Sequence, residues 1–157
     1  MKILVVYYSR TGTTRKVAEK LSADLGADSE EIIDTKDRSG ALGFIFSGRD
    51  SMKKRLTEIK PLEKNLAEYD LILIGTPIWA WTVSVPVRTF LEKYKDNLKR
   101  VAFFCTMGGS GDKKAFSEME NICGQKPMAV LALTTKEVVQ NNFAEKLEEF
   151  RKQIPAD

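Results

Sequence analysis

Apolar and polar positions along the chain fall into blocks whose period switches repeatedly between that of a strand and that of a helix. Ile3 to Tyr8 is an unbroken β-prone apolar run, the pattern of a parallel strand buried on both faces. From Thr14 the period lengthens. Val17, Ala18, Leu21 and Leu25 share one helical side with it, and Gly26 stands where that helix should end. A weaker strand is predicted over Ser29 to Ile33. Leu71 to Ile74 is the next strong strand, running into Gly75-Thr76-Pro77. Pro86 suits the first turn of a helix with Phe90 and Leu91 inward and Tyr94 at its edge. Val101 to Cys105 reads as a further strand. Asp112 is placed to cap a helix whose apolar side carries Ala115, Phe116, Met119 and Cys123. Met128 to Leu133 gives a last strand. Asn142 with Glu145 reads as a capping box for a final helix bearing Phe143, Leu147, Phe150 and Ile154.

Strands alternating with helices predict an α/β fold, a parallel sheet covered on both faces. Five strands and 157 residues fit one domain, residues 1–157. In open sheets of this kind, ligands sit beyond the carboxyl ends of the strands. The stretch from Asp34 to Tyr69 breaks the alternation and is too long for a bare loop. It reads as an elaborated crossover with one or two short helices, Met52 to Leu56 being one helical candidate. Within it, Gly40 to Gly48 is apolar and punctuated by glycine. That stretch is open to two readings: a helix covering the sheet, or a flap or partner surface near the site.

Composition narrows the chemistry. The chain has no histidine, which removes Ser-His-Asp and Cys-His mechanisms and every imidazole metal site; no metal site is expected. A net charge of +3, with Lys and Arg interleaved with Glu and Asp, is no nucleic-acid signature. The densest basic run, Lys53-Lys54-Arg55, reads as a solvated helix face. Cys105 and Cys123 lack CxxC spacing, so cytoplasmic free thiols are expected. The apolar run after Met1-Lys2 is too short for a signal peptide or a membrane span, and no membrane contact is expected.

Three loops carry the candidate site. Ser9-Arg10-Thr11-Gly12-Thr13-Thr14 joins a buried strand to a helix start. Hydroxyls, free N–H groups and the dipole there suit a phosphate, and Gly12 permits close backbone approach. The loop is neither a Walker A nor a GxGxxG motif. Thr76-Pro77-Ile78-Trp79-Ala80-Trp81 puts indoles at a strand end, where one can stack on a planar ligand. Thr106-Met107-Gly108-Gly109-Ser110-Gly111 offers bare backbone that can lie against a ring edge. A CX5R phosphatase cradle starting at Cys105 is excluded, because Gly111 stands where its arginine would be. Cys105 then reads as a small apolar strand residue.

Together these loops resemble those of the flavodoxin family, and the likeness runs over essentially the whole chain. Ser9 to Thr14 is similar to the family's [ST]-x-T-G-x-T phosphate loop. The resemblance implies a flavodoxin-like three-layer sandwich with strand order 2-1-3-4-5, of the short-chain type, binding FMN. It implies that Ser9, Arg10, Thr11, Gly12, Thr13 and Thr14 hold the phosphate. Thr76, Pro77, Ile78, Trp79 and Ala80 would form the first ring loop, with Trp79 stacking. Thr106, Met107, Gly108, Gly109 and Gly111 would form the second. Typical flavodoxins are strongly acidic and meet basic partners, whereas this chain is slightly basic. Many carry glycine after the loop tryptophan, where a peptide flip accompanies reduction. Here the residue is Ala80, whose methyl penalises positive φ by roughly 1 kcal/mol. The function implied is electron transfer in redox metabolism, as a monomer or weak dimer, with a partner protein or a small-molecule acceptor. The alternative is an NAD(P)H-dependent FMN or quinone reductase. A receiver domain is excluded by Tyr7-Tyr8-Ser9 and Gly75-Thr76 where acidic residues would be needed.

Overall fold

The computed structural model describes residues 1–155. Its parallel sheet comprises β1 (Ile3–Tyr7), β2 (Asp28–Glu31), β3 (Leu71–Trp79), β5 (Val101–Met107) and β6 (Val130–Thr134). Their spatial order is β2-β1-β3-β5-β6, the expected five-strand order. A short β4 (Thr82–Val83) is added antiparallel to the end of β3. β2 is the polar edge strand, and its charged side chains suit an edge that must not recruit another chain.

Alternate residues of each central strand face opposite layers. Leu4, Val6, Ile72, Ile74 and Phe103 join one core, while Val5, Tyr7, Leu71, Leu73 and Phe104 join the other. Helix α1 (Thr13–Leu25) adds Val17, Ala18 and Leu21 to the second core, and α6 (Ala144–Gln153) adds Leu147 and Phe150. The first core is closed by α3 (Val85–Tyr94) through Phe90 and Leu91, and by α4 (Asp112–Cys123) through Phe116 and Met119.

Local signals were displaced in four places. Asp112 does not cap α4; Gly111, at φ 110°, holds the cap position and Asp112 is the acidic residue of the first turn. Asn142 does not cap α6, whose cap position is Phe143 with no side-chain bond. The capping box instead joins Thr134 and Glu137 at the start of the short α5 (Thr135–Val139), and the Asn142 N–H donates to the Glu137 carbonyl at 2.8 Å. In the long crossover the α-helix, α2 (Gly40–Met52), ends where one was expected to begin at Met52, and a 3₁₀ turn follows at Leu66–Glu68. Left-handed Lys54, at φ 52°, follows its end, so Lys53-Lys54-Arg55 is a solvated turn and not a helix face.

Helix α2 joins neither core. It buries Gly43, Ser47, Asp50 and Ser51, and exposes Leu42 (69%), Phe44 (65%) and Ile45 (61%). Charge and hydrogen bonds hold it down. Buried Arg38 pairs with Asp34 at 2.6 Å and with Asp50 at 3.2 Å, and Asp50 also receives Lys36 and Arg55. The Ser51 hydroxyl donates to the Val83 carbonyl. Gly43 lies so close to Arg38 that a Cβ would come within 2.2 Å of its carbonyl oxygen.

Candidate functional site

The carboxyl ends of β1, β3 and β5 open onto a cavity of about 320 Å³. Arg10, Thr11, Thr13 and Thr14 line it from the first loop, Pro77, Ile78 and Trp79 from the second, and Thr106, Met107 and Gly108 from the third. All three predicted loops therefore meet at one place, at the low end of the usual size range for small-molecule sites.

The first loop is shaped by Gly12, left-handed at φ 95°, which starts α1 without a side-chain cap. Its own N–H donates to the Ser9 hydroxyl at 3.0 Å. No side chain therefore satisfies the first N–H groups of α1, which retain their partial positive charge. Thr11 and Thr13 hydroxyls stand 3.5 Å apart beside them. Thr14 is buried, and its hydroxyl bonds Thr106 at 2.7 Å, fastening the first loop to the third.

Trp79 is the buried tryptophan of the second loop and Trp81 the exposed one, at 7% and 62%. Tyr8 meets Trp79 edge to face at 5.5 Å, and the Arg38 guanidinium lies over the indole at 5.3 Å. Burial, then the nearby Asp34 carboxylate, push the Tyr8 phenol up to about 12, so it stays protonated. Ala80 and Trp81 form the two-residue turn between β3 and β4 at φ 49° and 62°, both left-handed as a type I′ hairpin requires. The positive φ expected to be costly at Ala80 is thus already adopted in the fold. Gly111 backs this turn, where a Cβ would fall 2.8 Å from Ile78 and 2.9 Å from Trp81.

Six of the predicted site residues stand behind or beside the cavity and do not line it. Ser9 and Gly12 shape the first loop from within. The Thr76 hydroxyl is fully buried; it donates to the Pro77 carbonyl, accepts from the Ser84 N–H and lies within hydrogen-bond distance of the Ser84 hydroxyl, so it braces the hairpin. Ala80 faces an adjoining groove, Gly109 projects into open space and Gly111 is packed under the turn. Two lining residues escaped sequence reasoning. Phe44 belongs to the apolar glycine-punctuated stretch, and Arg10 lies over its ring at 5.4 Å. Thr135 follows the last strand, its hydroxyl donating to the Met107 carbonyl. Two adjacent threonines at a strand end were its only signal.

Arg10 is the one charged side chain among the lining residues. Cys105 is fully buried behind the loops, and burial pushes its thiol up to about 12, which leaves it inert as a nucleophile. No cluster of potential metal ligands occurs among the described residues. The cavity thus pairs a helix N-terminus, threonine hydroxyls and an arginine at one end with Phe44, Ile78, Trp79 and Met107 elsewhere. That donor set matches a phosphate ester carrying an apolar planar ring.

The flavodoxin family profile matches residues 2–150. A flavoprotein in complex with FMN from Lactobacillus acidophilus is 27% identical, covers 88% of this chain and 97% of its own, and superposes with a TM-score of 0.70. A putative flavoprotein from Bacteroides eggerthii is 26% identical over 96% of this chain and 98% of its own, with a TM-score of 0.70. An apo NADH:FMN oxidoreductase shares the fold at 14% identity, over all of this chain and 92% of its own, with a TM-score of 0.55. No curated protein matches the chain.

Proposed function

The chain belongs to the flavodoxin family, and on that premise we propose that it binds FMN in this cavity and serves as an electron carrier. Bound FMN supplies the redox chemistry, accepting and releasing electrons. The observation that carries the reading is the convergence of an uncapped α1 N-terminus and Arg10 with Ile78, Trp79 and Met107 in one cavity.

Each residue has a task that follows from its surroundings. The first N–H groups of α1, with Thr11, Thr13 and Arg10, hold the phosphate; an anion at a helix N-terminus gains about 0.3–1 kcal/mol from the dipole. The Thr14–Thr106 bond keeps the phosphate loop in register with the ring loop. Ile78, Met107 and Phe44 exclude water from the ring. Trp79 supplies an indole fixed by Tyr8 and Arg38, and Gly108 offers backbone to the ring's polar edge. The lining contains no carboxylate or thiol, so proton transfer falls to solvent.

The protein acts inside the cell, as a monomer in this reading, with redox proteins as partners. No helix among the described residues is long and apolar enough to cross a membrane. Purified protein is expected to be yellow and to release FMN on denaturation, and apo protein should quench the fluorescence of added FMN at one equivalent. Colourless protein unable to take up FMN would overturn the proposal. Steady-state oxidation of NAD(P)H with a quinone would replace the carrier with a reductase.

A further inference from the structure

The whole net charge of the chain resides in one segment. Asp34 to Leu56 holds six of the 25 basic residues and three of the 22 acidic ones, leaving nineteen of each elsewhere. Asp37 is its only exposed acid, while Lys36, Arg49, Lys53, Lys54 and Arg55 are all exposed. The same segment carries the outward face of α2. Leu42, Ile45, Phe46, Arg49 and Met52 follow one another at helical spacing on that face, and Leu56, also exposed, stands just past its end. The Arg49 guanidinium lies over the Phe46 ring at 4.9 Å and the Lys36 ammonium at 6.0 Å, so the cations border the apolar stripe directly.

Monomers rarely leave a contiguous apolar patch of more than a few hundred Å² bare, and larger ones mark interaction surfaces. The stripe also adjoins the site. Phe44, Ile78 and Trp79 line both the cavity and a groove of about 400 Å³ bounded by Ile45, Gly48, Arg49 and Met52 of α2.

We propose that the outward face of α2 docks an electron-transfer protein whose contact surface is apolar at its centre and acidic at its rim. Charge complementarity selects this occupant. A second copy would set Arg49, in the middle of the stripe, and Lys53-Lys54 against cations of the same kind. Docking at α2 brings the partner's redox centre to the cavity mouth at Phe44. The electron step rests on the FMN reading above; the contact itself does not. With a reduced [2Fe–2S] ferredoxin as donor, each cluster gives up one electron and becomes oxidised. Two such events, with two protons from solvent, reduce one bound FMN.

An acidic plant-type ferredoxin and basic cytochrome c serve as probes. Oxidised ferredoxin is titrated calorimetrically into both apo and FMN-loaded protein, and reduced ferredoxin is mixed with the loaded protein in stopped flow. Ferredoxin binding and electron-transfer rate at low salt are expected to fall about tenfold or more at physiological salt. The double variant Lys53→Glu/Lys54→Glu and, separately, Leu42→Asp should each weaken binding about tenfold, with unchanged melting and FMN uptake. Cytochrome c should not bind. Equal ferredoxin binding by both variants, absence of binding at low salt, or preference for cytochrome c would overturn the proposal. So would a dimer in sedimentation that Leu42→Asp dissolves, or binding to phosphatidylglycerol vesicles that ferredoxin cannot compete away. Ferredoxin binding to a chain that never takes up FMN would sink the carrier function and leave the docking surface standing.

Discussion

Helices α1 and α2 are each thirteen residues long, and both reach the cavity, but they are fastened to the fold by opposite means. α1 turns Val17, Ala18 and Leu21 into a core and shows Arg15, Lys16, Glu19 and Lys20 to water. α2 turns Gly43, Ser47, Asp50 and Ser51 inward and shows leucine, isoleucine, phenylalanine and methionine to water. The first arrangement gains free energy from every buried methylene. The second gives up that gain and relies on the Asp34–Arg38–Asp50 ion pairs, whose net worth is small so long as no partner is lost. An element that forgoes apolar burial in favour of polar anchoring keeps its apolar side available for something else. Sequence patterning alone could not distinguish these cases, because both helices contain enough apolar residues to look buried.

If this contrast is right, the largest effect comes from cutting into α1. Leu21→Ala should cost roughly 3–4 kcal/mol in urea unfolding, through lost transfer energy and the cavity left behind. Asp50→Ala comes next, at about 2–3 kcal/mol, because it strands the buried Arg38 guanidinium with Asp34 alone. Its signature is local: amide exchange should accelerate across residues 40–52 and remain slow in α1. Equal acceleration in both helices would break the comparison.

Acid should reproduce that loosening. Burial alone would raise the Asp50 carboxyl, but Lys36 and Arg38 outweigh it and hold the group below its ordinary 3.8. A depressed folded value means that its contribution is complete above 3.8 and is lost as pH falls through the folded value. Pepsin, which cuts after exposed apolar residues, should then cleave within α2 before α1 as the pH is lowered through that range. The smallest effect is expected where a conventional helix would show one of the largest: Leu42→Ser should change stability by no more than about 0.5 kcal/mol. A loss of several kcal/mol would mean that Leu42 is buried in solution.

Much of the architecture was legible because parallel strands buried on both faces read as continuous apolar runs, as at Ile3, Leu71 and Val101. That the loop from Ser9 to Thr14 would line a cavity was legible because hydroxyls flanking a glycine between a buried strand and a helix start gather at the carboxyl edge of the sheet. The β3–β4 hairpin was not, since its turn is Ala80-Trp81, with neither the glycine nor the asparagine that normally marks two left-handed residues. The capping box at Thr134–Glu137 was missed in favour of Asn142–Glu145, which has a similar local pattern. Which of the two forms depends on where β6 ends, a tertiary matter. The role of Phe44 was hidden for a related reason. It reaches the cavity only because Arg38 and Asp50 turn α2 inside out.

The Thr14–Thr106 hydroxyl bond spans 92 positions of sequence. Its two ends lie on α1, which follows β1, and on β5, which β3 separates from β1 in the sheet, so the bond cannot form until β1, β3 and β5 lie side by side. No fragment or half-assembled sheet contains the completed cradle, and contacts of such long separation close late and slowly. A ligand that requires this cradle binds only the finished fold, and therefore stabilises the entire sheet. At a hundredfold excess over its dissociation constant the increment is about 2.7 kcal/mol, a large share of a small domain's stability. Supply of such a ligand would then set how much of the chain stays folded.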